Sequence, residues 1–237
     1  RDLRMSRGLG DVYKRQLYQK GENQMGILIR GGRVVDAAAQ IDKIADVYLD
    51  DGVIQKVGEK LEAKDKDDKI IDAKGLVVMP GLVDLHVHFR DPGQTEKEDI
   101  ETGSHAAARG GVTTVVAMPN TTPVIDSPDR ANYVKNKAAQ VSAIHVLQAG
   151  AMTKGELGEE LSDIAGMAAA GVPVLSEDGK SVMKASLCKQ AMEEAVKAGL
   201  PIFDHCEDMS LRGNGCMNED ENCLLYTSPS PRDMRRS

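Results

Sequence analysis

Aromatic residues are scarce in this chain: no tryptophan, two phenylalanines and five tyrosines make up 3% of its 237 residues. Any core must therefore be packed from Val, Ile, Leu, Ala and Met. Cysteine is rare too, and the four present (Cys188, Cys206, Cys216, Cys223) form no CxxC pair and no disulfide framework. Free thiols fit a cytoplasmic protein. No run approaches the ~18 apolar residues needed to cross a bilayer, and no apolar signal segment follows the basic start. An excess of basic charge is likewise missing. The net charge of −7 argues against a general binder of nucleic acid or of anionic membranes. What remains is an ordinary globular composition, 41% hydrophobic, long enough for one large domain or two small ones.

Charge is distributed unevenly. Residues 1–16 (RDLRMSRGLGDVYKRQ) carry a net +3 and residues 223–237 (CLLYTSPSPRDMRRS) a net +2, leaving −12 for the interior. Both strings resemble translated sequencing-adapter read-through; disordered basic tails are the plainer alternative. Segments 1–24 and 223–237 are accordingly expected to be foreign or disordered and are excluded from fold reasoning. Met25 then becomes the expected natural start, with the natural protein continuing past Asn222.

Residues 25–80 read as a small β-sandwich module of short β-branched runs. The runs 27–30 and 33–36 flank Gly31-Gly32, a hairpin signal, and 47–50 and 53–57 flank Asp51-Gly52, a stronger one. The charge run KDKDDK at 64–69 reads as a solvated loop. Residues 70–71 and 76–79 complete the module. After Gly81 strand and helix alternate. Strands are expected at 82–86 (a buried one), 113–118, 143–148, 172–175 and 201–205. Helices are expected at 100–109, 127–139, 157–170 and 181–198, with Ser127 as an N-cap before Pro128. Such alternation implies parallel strands with helical crossovers, in either an open doubly wound sheet or a barrel.

The densest chemical signal is Asp84-Leu-His86-Val-His88-Phe-Arg90-Asp91-Pro-Gly93. On an extended strand His86 and His88 point to one face, about 6–7 Å apart, and can bite a single divalent ion. Taken alone, His-x-His is a weak motif. It gains weight from its address at the end of the first barrel strand, the face where (β/α) barrels build their sites. Asn120, Asp178 and His205 recur at that address, ending the second, fourth and fifth strands. Each has a bland reading as a turn residue or a satisfied core histidine. Their agreement on one address is the stronger observation, because it gathers four strand ends around one pocket.

The strings HVHFRDPG, MPNTTP, SEDGKSV and DHCED, in that order, resemble the type I dihydroorotases of the amidohydrolase superfamily over residues 26–222. HVHFRDPG is the specific part, since related allantoinases and hydantoinases share His-x-His but usually lack Arg at the position of Arg90. The resemblance implies an α/β chain holding about five βα units of a (β/α)8 metal-dependent hydrolase barrel at 81–222. It implies one or two zinc ions: His86 and His88 on the first, Asp178 ligating or bridging a second, and His205 on the second. It also implies substrate contacts from His88, Arg90 and Asn120, with the guanidinium paired bidentately to the dihydroorotate carboxylate. Zinc lowers the pKa of bound water from 15.7 to about 7 and polarises a carbonyl.

The family's general acid/base, an aspartate of the eighth strand, lies outside this chain, as do a sixth-strand histidine and the last three strands. A barrel needs ~250 residues, and about 140 lie between Gly81 and residue 222. The chain is therefore expected to be inactive and to expose open edges on its first and fifth barrel strands. Implied partners are a small-molecule substrate, with no nucleic acid and no membrane. For the full-length protein they include a second copy or aspartate transcarbamoylase. Two other readings compete: another cyclic amidase of the allantoinase or hydantoinase kind, and a non-catalytic dihydroorotase-like subunit supporting aspartate transcarbamoylase. Some signals are set aside. His105 and His145 read as structural, Ser181-Val-Met-Lys184 as a chance SxxK, and Cys206 as a small buried residue rather than a thiolate ligand.

Overall fold

The computed structural model describes residues 26–212 and divides into two compact units, the first ending at Gly81 and the second beginning at Leu82. The flanking basic strings, Met25, Cys216 and Cys223 lie outside the described residues.

The first unit hydrogen-bonds as a single sheet in the order β3-β2-β1-β4, with β5 also on β1. Strand β1 (Ile27–Asp36) runs antiparallel to β2 (Ile41–Asp50), and β2 antiparallel to β3 (Val53–Gly58). The Asp51-Gly52 hairpin forms as expected, both residues adopting positive φ (53° and 68°). The hairpin expected at Gly31-Gly32 does not. There β1 runs straight through, and the register shifts between Ile29 and Gly32. One left-handed glycine (Gly31, φ 72°) yields a bulge, whereas a two-residue reversal needs two matched residues. Buried Asp46 fixes the bulge by accepting from the Gly31 N–H (2.7 Å) and the Leu61 N–H (2.9 Å). Beyond the bulge β1 changes neighbour, from parallel β4 (Lys69–Asp72) to parallel β5 (Val77–Val78). The KDKDDK run is a loop with an internal clasp: the Asp68 carboxylate accepts from Gly26 N, Tyr48 Oη, Lys64 N and Asp65 N.

In the second unit the parallel strands β6 (Leu82–Val87), β7 (Val112–Ala117) and β8 (His145–Gln148) form one group. The parallel strands β9 (Gly150–Ala151), β10 (Leu175–Ser176) and β11 (Ile202–Phe203) form another. They join at Ala149, whose N–H bonds Ala117 O, and at Gly150, whose N–H bonds Val174 O. Five strand positions thus follow one another in chain order without the reversal that defines a doubly wound sheet, so the chain takes the barrel alternative. Helices α1 (Ile100–Arg109), α2 (Pro128–Val141), α3 (Ile164–Ala169) and α4 (Ala185–Ala198) are the crossovers, and α5 (Met209–Arg212) follows β11. Ile100, Val134, Met167 and Leu187 from these helices pack with Val115 of β7 and Leu175 of β10 in one core, with Phe89 its one buried aromatic.

Several expectations need correction. Ser127 stands at the α2 N-cap, but its hydroxyl makes no capping bond. The helix expected over 157–170 shrinks to α3, because Gly155, Glu156 and Gly158 all take positive φ and the chain first makes a 3-10 turn (Lys154–Glu156). Asp163 then restarts the helix by accepting from Gly166 N (2.9 Å). Helix α4 begins four residues later than expected, leaving 177–184 as a loop over the strand ends. Nor is β6 buried: Leu82, Val83 and Leu85 are 50, 57 and 52% exposed. Among the described residues β6 and β11 each pair on one side only, so the expected open edges are present.

Candidate metal centre

His86 lies next to the last residue of β6 and His88 just beyond it. Alternation brings both rings to one side, with centroids 5.1 Å apart and Nε2 atoms 3.3 Å apart. Asp178, two residues past β10, reaches the same point. Its Oδ1 is 3.2 Å from His86 Nε2 and its Oδ2 3.5 Å from His88 Nε2. Among the described residues, these three form the one group whose ligand atoms all lie within 4.8 Å of one another. Two imidazoles and a carboxylate are a donor set that suits zinc in hydrolytic sites.

Asn120, just past β7, holds the set from behind. His88 Nδ1 lies 3.1 Å from Asn120 Oδ1, and Asn120 Nδ2 donates to Asp178 Oδ2 (2.5 Å). A carbonyl can only accept, so this bond puts the imidazole hydrogen on Nδ1 and turns the Nε2 lone pair toward Asp178. Burial of His88 lowers its pKa, helped by the nearby Arg90 guanidinium and opposed by Asp178. The ring is therefore neutral at neutral pH, the form a metal requires.

His205 stands at the rim. Its Nδ1 is 3.9 Å from Asp178 Oδ1, and its Nε2 is 3.3 Å from Glu207 Oε2. It thus adjoins the group of three without belonging to it. Ser181 pins this segment, donating to His205 O (2.5 Å) and accepting from Glu207 N (3.1 Å). Arg90 is half-buried two residues past His88, with φ 58°. His105 on α1 is exposed, and exposed His145 begins β8 at the end away from the cluster. Cys206 is exposed rather than buried, with Sγ 3.2 Å from Asp204 Oδ2.

Sequence reasoning assigned no role to two acids beside this group. Glu177 is 1% exposed, and its carboxylate takes the Met152 N–H and Thr153 N–H (3.0 Å each) and the Thr153 hydroxyl. It ties the residue before Asp178 to the end of β9. Glu156 is buried with φ 53° and leaves Oε1 without a hydrogen-bond partner. Burial, then the charge of Glu177, pushes it up to about 8. An acid next to a candidate ligand at the end of an apolar run was the available signal for Glu177. For Glu156 there was none.

A family model described as Dihydro-orotase-like matches residues 75–228. Proteins named dihydroorotase from Clostridioides difficile and Citrifermentans bemidjiense are 50% and 47% identical over 192 and 195 residues. These matches cover 81% and 82% of this chain but 45% and 46% of those proteins, so the chain spans about half the length of the curated relatives it matches. Among solved structures, an L-hydantoinase (dihydropyrimidinase) from Arthrobacter aurescens superposes with a TM-score of 0.65 at 25% identity, over 79% of this chain and 42% of that one. A D-hydantoinase (dihydropyrimidinase) from Thermus sp. gives 0.62 at 28%, over 79% and 41%.

Proposed function

This chain belongs to the dihydro-orotase-like family, and from that premise we propose that it carries the N-terminal half of a zinc-dependent dihydroorotase. The reaction is the reversible closure of N-carbamoyl-L-aspartate to dihydroorotate in pyrimidine synthesis. The single observation that carries this is the meeting of His86, His88 and Asp178 at the ends of two strands, with Arg90 beside them. His86, His88 and Asp178 would hold zinc, with His205 on the flank for a second ion. When bound, the metal supplies an acidified water and a polarised carbonyl.

The chain's own residues do the rest. Arg90 grips the substrate carboxylate through its planar fork, and His88 and Asn120 line the same side. Asn120 also keeps His88 in the tautomer that binds metal. Proton transfer to and from the ring nitrogen belongs to the part of the relatives that this chain does not span. Identity to dihydroorotases of 47–50%, against 25–28% to hydantoinases, favours this substrate over other cyclic amides. No helix among the described residues is long and apolar enough to cross a membrane. We assign the full-length protein to the cytoplasm, with a second copy or aspartate transcarbamoylase as its partner.

The test has two parts. The chain alone should take up Co2+ saturably, and His86→Ala or Asp178→Asn should weaken uptake about tenfold or more. Joined to the C-terminal half of the Clostridioides difficile relative, it should consume dihydroorotate. Arg90→Met should then lower turnover about a hundredfold. Undiminished turnover in the Arg90→Met protein would remove the substrate assignment, and absence of metal uptake would remove the hydrolase.

A further inference from the structure

Directly after Arg90 comes a charge that has no need to be where it is. Asp91 is 2% exposed, yet it is a carboxylate in a loop. Both oxygens face α2: Tyr133 Oη donates to Oδ1 (3.1 Å), and Lys137 Nζ forms an ion pair with Oδ2 at 2.5 Å, a contact of charge rather than of aligned hydrogen-bond geometry. Tyr133 and Lys137 are four apart and so share one face of the helix. Bonding to Asp91 is the first cause of a raised Lys137 pKa, so the ammonium stays charged throughout the neutral range.

The same loop is tied at two further points. Gln94 N donates to Arg90 O (2.9 Å), and Thr122 N donates to Pro92 O (3.1 Å). On the near side His88 is fixed by Asn120 and faces Asp178. Arg90 is therefore held between two anchored neighbours, and its backbone sits at φ 58°, a conformation that arginine avoids unless its surroundings impose it. Release of the Asp91 anchor would let the backbone relax and swing the guanidinium away from His88.

We infer that the Asp91–Lys137 pair, buttressed by Tyr133, is a positioning device for Arg90, and through it for the carboxylate subsite of the substrate. This deepens the proposed function and rests on it for the role of Arg90. The positioning itself does not.

The experiment uses the 237-residue chain with 15N-labelled arginine, the Arg90 Nε–Hε signal being identified by its loss in Arg90→Lys. Lys137→Met should shift or broaden that signal. It should also speed hydrogen exchange at the Gln94 amide about tenfold relative to Val134 in α2, while Lys137→Arg preserves both. Because Lys137→Met leaves a buried carboxylate short of its partner, the double variant Asp91→Asn/Lys137→Met removes both charges together and should loosen Arg90 in the same way. Wild-type behaviour of the Arg90 signal and the Gln94 amide in the double variant overturns the inference. Titration with N-carbamoyl-L-aspartate separates the two readings. A saturable movement of the Arg90 signal, about tenfold weaker in the double variant, supports both. No movement in the wild-type chain, with the loosening still seen, strikes the carboxylate role of Arg90 and leaves the positioning standing.

Discussion

At the scale of single residues, the site depends on which lone pairs and protons face inward. Asn120 decides that for His88, since its carbonyl oxygen lies 3.1 Å from Nδ1 and its amide nitrogen donates to Asp178. Asn120→Ala should leave the three donors in place but untethered, lowering Co2+ affinity about 10- to 100-fold in a competition titration. Asn120→Asp should also weaken uptake, because a carboxylate there cannot donate to Asp178 as the amide does. Glu156 is the opposite case, a buried group that lacks a partner. Its pKa is raised from the usual 4.5 to about 8, so between those values the folded chain holds a proton that the unfolded chain has released. Stability from this group is full below about 4.5 and is lost as pH rises through about 8. Glu156→Gln should therefore stabilise the metal-free chain at pH 8 or above, on the order of 2–4 kcal/mol. It should change little near pH 4. Urea unfolding at the two pH values measures the difference.

At the scale of elements, most strands and helices carried clear signals, and the connections, the Asp51-Gly52 hairpin apart, did not. The helices α1 and α2 and the Asp51-Gly52 hairpin lie where apolar spacing, Pro128 and the turn residues point. The residues 153–163 misled, because Leu157, Leu161 and Ile164 keep an apolar rhythm while the backbone leaves the helical region at Gly155, Glu156 and Gly158. Only the anchoring of Thr153 on Glu177 and the Thr153–Leu161 bridge explain why. In the same way Gly31-Gly32 carries a turn composition, but the Asp46 carboxylate turns it into a bulge. The Arg90 loop meets the loop after β7 at Gly93, where φ is 87° and a Cβ would lie 1.7 Å from Thr122 O. Gly93→Ala cannot be absorbed by side-chain movement. It should cost about 2–4 kcal/mol in urea unfolding and disturb the Arg90 signal. A loss below about 0.5 kcal/mol would contradict the close approach.

At the scale of the whole molecule, five strand positions carry the candidate donors, and the chain spans about half the length of the curated relatives it matches. The isolated chain should therefore bind metal yet show no dihydroorotate turnover above buffer, and measurable turnover by the unextended chain would contradict this assignment of labour. The exposed Leu82, Val83 and Leu85 on β6 and the one-sided pairing of β6 and β11 should also make it self-associate with concentration, as sedimentation velocity can record. By itself the sequence determined the βα alternation, the strand-end address of His86, His88, Asn120, Asp178 and His205, and the family, because these depend on local period and on residue identity. The barrel-like strand order, which the βα alternation left open and the resemblance implied, is seen in the strand pairing, and tertiary structure alone decided the tight grouping of three donors with His205 at their rim, the tautomer imposed by Asn120, and the burial of Glu156, Glu177 and Asp91. Those are matters of distance between residues dozens of positions apart, and no periodicity along a chain encodes what a side chain meets on the far side of a fold.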